Sequence, residues 1–201
     1  MKNEFDAEFF KTEIIKMTSE DIYDNYYISG EVWIFKKIYD NNWFIKYDEF
    51  KKYISKKLGV HYHDIGIAGS GKLGFSLNPS KKFKSFDDES DIDIIVVSSK
   101  LFNEFWEQYL SDSYNPTARI DRIRTVSFCI FRKYLNLNYF RNNEYYNNWL
   151  KKTGDLEKDI QLLFQIENEI NYRIFESWAA VKLYYMSSID NCKKEMENAN
   201  N

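Results

Sequence analysis

Two aspartates one residue apart open the apolar run Ser90-Asp91-Ile92-Asp93-Ile94-Ile95-Val96-Val97, and Asp91 follows Ser70, in Ile65-Gly66-Ile67-Ala68-Gly69-Ser70, by 21 positions. In an extended strand alternate residues share a face, so Asp91 and Asp93 point one way while Ile92 and Ile94 point the other. Two carboxylates held that close repel each other unless a cation lies between them. Mg²⁺ suits such a pair, because it takes one or two protein carboxylates and completes its shell with water and phosphate oxygens. A Gly-Ser turn at the end of the preceding strand would supply the phosphate end. The plain alternative is a strand end carrying two solvated acids.

The order apolar strand, Gly69-Ser70, spacer, then Asp91-Ile92-Asp93-Ile94 resembles the core signature of the DNA polymerase β-type nucleotidyltransferase superfamily, over roughly Asp64 to Ser98. The resemblance implies that Gly69 and Ser70 contact a nucleoside triphosphate and that Asp91 and Asp93 are catalytic and ligate Mg²⁺ or Mn²⁺. It implies transfer of a nucleoside monophosphate to an acceptor hydroxyl of a small molecule, a protein or an RNA end. Antibiotic modification, toxin–antitoxin and phage-defence roles follow only by analogy. Active members carry a third carboxylate on a later strand. The best later strand by composition is Val126-Ser127-Phe128-Cys129-Ile130-Phe131, which has no acid in either register. Asp121, just before it, is the candidate third catalytic acid, or else an ion-pair partner for Arg119, Arg122 and Arg124. Without a third acid the chain reads instead as a nucleotide-binding sensor or partner-binding subunit.

The spacer is longer than is usual for the family, so Gly74 to Glu89 must form an excursion. Asn78-Pro79 marks a turn in it, and Lys81, Lys82 and Lys84 make its tip basic, for gripping a substrate or simply for solvation. Gly66-Ile67-Ala68-Gly69-Ser70-Gly71-Lys72 also approaches the P-loop pattern, but Leu73 stands where a hydroxyl is required and Gly74 and Pro79 interrupt the helix that must follow. Lys72 is a candidate phosphate ligand in either reading. His61 and His63 share a face beside Asp64, as a metal group or as loop histidines.

The surrounding elements must position these groups. The first 40 residues read as helical, with a break at Ser29-Gly30. Trp43 to Leu58 reads as an amphipathic helix, with Phe50, Ile54 and Leu58 stepping by four and Gly59 as its C-terminal cap. A strand over Asp64 to Gly69, the acidic strand to Ser98 and a helix over Lys100 to Leu110 capped by Ser99 follow. Asp159 to Ile189 reads as one long helix whose stripe of Ile166, Ile170, Ile174 and Trp178 is core or a dimer or partner seam. The expected class is α/β (α+β): a small mixed sheet flanked by helices in a single domain over 1–201, with a helical lead-in to residue 58, a core over 60–135 and a helical portion over 136–201.

The net charge of −3 lacks the basic footprint of a protein that grips long nucleic acid. Two cysteines, Cys129 and Cys192, make no disulfide framework. The acidic N-terminus does not look like a secretory signal, and no apolar run approaches the roughly 18 residues of a membrane span, so a cytoplasmic location is expected.

Overall fold

The structure is a computed structural model, and it describes residues 7–81, 83–115, 123–137 and 144–199. The helices before the sheet are α1 (Ala7–Ile14), α2 (Ser19–Ile22), α3 (Trp33–Tyr39) and α4 (Trp43–Leu58), with a π-helical turn over Tyr23–Ile28 between α2 and α3. Strand β1 (Ile65–Ala68) runs directly into the short α5 (Gly69–Leu73), and β2 (Ile92–Val97) into α6 (Ser99–Tyr114). Then come α7 (Ile123–Phe131), β3 (Tyr134–Asn136), α8 (Glu144–Phe164), β4 (Ile170–Phe175) and α9 (Trp178–Ala199). The strands form a mixed sheet in the order β1-β2-β4-β3, with β2 parallel to β4 and the other pairs antiparallel.

Strand alternation sorts the apolar residues to the two faces. Ile92, Ile94, Val96, Ile170 and Ile174 face one core, which α3, α4, α6 and α8 cover with Phe35, Phe50, Phe105 and Phe164. Ala68, Ile95, Val97 and Phe175 face the other, covered by α1, the π turn and α9. With both faces covered, β2 is apolar at nearly every position, as parallel strands in such sheets are. Helix α4 follows its expected stripe, and Gly59 ends it at φ 73°, donating its N–H to Ser55 O at 2.8 Å. Ser98 rather than Ser99 caps α6, accepting from Leu101 N–H, and α6 buries Phe102 and Phe105 with Leu101 and Tyr109 partly covered.

Two expectations are corrected. The segment Val126 to Phe131 is helical within α7, where Val126 and Cys129 meet the interior one helical turn apart and the intervening positions are exposed. Short β-branched and aromatic runs fit either period, and packing decided this one. Asp159 to Ile189 is not one helix: α8 ends at Phe164, β4 intervenes, and α9 follows. Steps of four keep Ile170 and Ile174 on one face of a strand as well as of a helix, so the stripe carried no discrimination. Gln165 breaks the helix at φ 54°, a left-handed position that no glycine announced. Among the described residues no helix is long and apolar enough to cross a membrane.

Phe50 is fully buried against Phe35 and Phe164, with ring centroids 5.1 and 5.4 Å away. Phe50→Ala is expected to destabilise the fold by about 3–5 kcal/mol, measured by urea denaturation.

Candidate functional site

The antiparallel register sets Ala68 opposite Asp93, so the chain leaves β1 through Gly69-Ser70 directly beside that carboxylate. Gly69 has φ +62°, and a Cβ placed on it would lie 2.7 Å from Asp93 Oδ2. Only glycine accommodates both the backbone conformation and this approach. Asp91 sits just before β2 and is exposed, in a loop fixed by Asn168, whose side-chain amide donates to the carbonyls of Asp87 and Ser90 at 3.1 and 2.8 Å.

Strand β4 completes the floor. Asn171 is the register partner of Asp93, and Arg173, two residues on, shares its face. Arg173 Nη2 lies 3.8 Å from Asp93 Oδ1, and the guanidinium stacks 4.9 Å above the Tyr184 ring. Helix α9 adds Tyr185, Ser188 and Asn191 to the wall. The long excursion is not a loose loop. Phe75, Leu77 and Phe86 are buried, Phe75 bridges to Ser85, and the segment carries Ser76, Asn78 and Lys81 onto the rim. The resulting cleft has a volume of about 360 Å³.

Burial lifts the Asp93 carboxyl above its ordinary pKa; Arg173 draws it back, Asp91 adds to the rise and Lys81 opposes it. Burial also holds Tyr27 and Tyr185 well above the ordinary phenol value, so both remain protonated donors at neutral pH. Among the described residues the buried Tyr185 hydroxyl has no partner at full hydrogen-bond geometry, and Arg173 is the group that approaches it. The cleft therefore offers two acids, a guanidinium, an ammonium and neutral hydroxyls and amides, a donor-rich set suited to phosphate oxygens.

Gly69, Ser70, Asp91 and Asp93 thus line one cleft. Lys72 does not. It is 3% exposed, and its Nζ donates to the carbonyls of Ser29 and Gly30 at 2.9 and 3.1 Å. Its role is to tie α5 to the turn after the π segment, and the P-loop alternative falls with it, since α5 ends at Leu73 and Gly74 turns at φ 83°. Asp121, Arg119 and Arg122 lie outside the described residues. Arg124 is exposed on α7, and Arg132 stacks on Phe128 with its guanidinium carbon 4.3 Å from the ring centroid. Lys84 pairs with Asp87 at 2.7 Å, and Lys82 lies outside the described residues. His61 and His63 stack on each other with ring centroids 5.3 Å apart and lie tilted against Tyr62, while Asp64 accepts from Trp178 Nε1.

Among the described residues no three of His, Cys, Asp or Glu gather as a metal group. Two carboxylates fit a Mg²⁺ that shares its shell with a bound phosphate and do not make a stand-alone metal cage. Sequence reading missed Arg173 and the α9 residues. The apolar–polar alternation of Ile170-Asn171-Tyr172-Arg173-Ile174 was the available signal. Comparison with protein-family models, curated proteins and solved structures finds no match to this chain.

Gly69→Ala is expected to cost about 1–2 kcal/mol from its left-handed backbone alone and to push Asp93 aside, weakening any ligand of the cleft. Lys72→Met is expected to cost about 1–3 kcal/mol of stability and leave cleft affinity unchanged. Urea denaturation and ligand titration on the two variants separate these outcomes.

Proposed function

We propose that the cleft binds a nucleoside triphosphate with a divalent cation, in the manner of the DNA polymerase β-type nucleotidyltransferases, and that the chain transfers a nucleoside monophosphate to an acceptor hydroxyl with release of pyrophosphate. The observation that supports this most directly is the apposition of Gly69 and Asp93 across the β1–β2 pair, with Ser70 and Asp91 in the same cleft. Asp91 and Asp93 would hold Mg²⁺ or Mn²⁺, which when bound neutralises phosphate charge and lowers the barrier to attack on the phosphorus. Gly69 allows the backbone to come close to the phosphates, and Ser70 adds a hydroxyl donor. Arg173 presents a planar fork suited to phosphate, and Lys81 adds a point charge at the rim.

A second reading, binding without transfer as a sensor or partner-binding subunit, draws on one specific observation. On β4, the strand beside Asp93, the side chains that share its face are Asn171, Arg173 and Phe175, where the resemblance calls for a carboxylate.

Calorimetric titration with ATP, GTP, CTP and UTP in Mg²⁺ tests both. The wild type is expected to bind at least one nucleotide, and a folded Asp91→Asn/Asp93→Asn double variant to bind it at least about tenfold more weakly, the equivalent of about 1.4 kcal/mol. Pyrophosphate release in the presence of acceptor hydroxyls supports transfer. Tight binding with no release across acceptor classes supports the sensor, and no binding of any nucleotide overturns both.

A further inference from the structure

Beyond the acidic cleft, on the far side of a shared wall, lies a second and larger cavity of about 780 Å³. The wall is the pair Tyr27 and Tyr185, whose ring centroids stand 4.7 Å apart and which line both spaces. The floor is the open edge of the sheet at Gly66 and Ile67, together with Ile95 on β2, about 7 Å along the strand from Asp93. The remaining walls are Tyr23 and Tyr27 on the π-helical turn, Trp43, Phe44 and Tyr47 on α4, and Trp178 at the start of α9. The volume falls within the range of small-molecule sites, roughly 300–1,000 Å³. The π-helical turn is itself a departure of the kind found at functional positions, since it widens the helix to set Tyr23 and Tyr27 on the cavity side.

Charge decides what such a space accepts. Each lysine lining it is already engaged: Lys51 with Asp48 at 2.8 Å, Lys72 with the Ser29 and Gly30 carbonyls, and Lys182 with Glu20. Asp24 adds an exposed carboxylate at the rim, which repels anions. Phosphorylated ligands therefore suit the acidic cleft with its Arg173, and this cavity is left with aromatic faces and little net charge. Ile28 and Phe44, which line the cavity, remain 53% and 54% exposed and extend its apolar surface to solvent.

We infer that this cavity is a binding site for an uncharged, planar aromatic small molecule, held between the Tyr and Trp rings by stacking and apolar burial. The site is separate from the phosphate cleft, and the inference stands whether or not that cleft takes a nucleotide. Gly66 gives a clean handle. A Cβ on Gly66 would meet only ordinary contacts, Ile95 Cβ and Trp178 Cη2 at 3.9 Å each, and a larger side chain on this cavity-lining residue would take up space in the cavity. Phe44, being half exposed, can be truncated with little effect on folding.

The probe pair is N-phenyl-1-naphthylamine, which is neutral, and 1-anilinonaphthalene-8-sulfonate, which carries the same ring system with an added negative charge. Fluorescence titration of the full chain is expected to show saturable binding of the neutral probe with quenching of tryptophan emission, and weaker binding of the sulfonate. Gly66→Val is expected to abolish binding. Phe44→Ala is expected to weaken it by about threefold to tenfold, the loss of one ring contact, with unfolding midpoints unchanged. Equal or tighter binding of the sulfonate overturns the neutral class. Absence of binding by the neutral probe, or binding unaffected by both substitutions, overturns the site; if Gly66→Val does not fold, Phe44→Ala alone decides.

Discussion

A carboxylate held partly out of water on the second strand of a four-stranded sheet needs a counter-charge, and much of the arrangement around the cleft follows from that need. Asp93 has Arg173 beside it because β4 runs parallel to β2 in a register that puts both side chains on one face. Arg173 in turn is steadied by the ring of Tyr184, which requires α9 to lie across the sheet at that point. Gly69 completes the enclosure, since any side chain there would collide with the carboxylate. The same ion pair fixes the electrostatic character of the cleft: the Asp93 proton affinity is raised by burial and lowered by Arg173, so the balance shifts with whatever anion or cation enters.

The sheet divides the molecule into two chemically different halves. One face carries an apolar core in which Phe35, Phe50, Phe105 and Phe164 are buried under α3, α4, α6 and α8. The other carries a core that borders the charged cleft, and past the Tyr27–Tyr185 pair the aromatic cavity wraps the open β1 edge and draws its lining from both cores. Helix α9 serves both openings, through Arg173's neighbours Tyr184 and Tyr185 on one side and Trp178 on the other.

How much of this was readable in advance differs from element to element. Helix α4 was legible because Phe50, Ile54 and Leu58 repeat at helical spacing and Gly59 terminates them; β1 and β2 were legible because their apolar runs are short and bounded. That Gly69, Ser70, Asp91 and Asp93 would meet was legible because a turn ending one strand and a pair opening the next lie side by side when those strands pair. Lys72 was misleading: a lysine after glycines suggests phosphate, while its ammonium is spent on two backbone carbonyls. The α7 segment and β4 were misassigned because β-branched composition and four-residue steps fit both periods, and the break at Gln165 carries no glycine.

The sequence by itself determined the class of the fold, the helices with complete apolar stripes and caps, and the side-by-side placing of the acidic pair at the start of a strand, since all of these follow from local spacing and residue type. Only the tertiary structure decided which strand stands beside Asp93, that its partner is an arginine, that the long excursion folds back onto the rim, and that an aromatic cavity adjoins the cleft. Those features join residues far apart in the chain, such as Tyr27 with Tyr185 and Asp93 with Arg173. Such contacts arise from strand register and helix packing across the whole sheet, and no local pattern of residues encodes them.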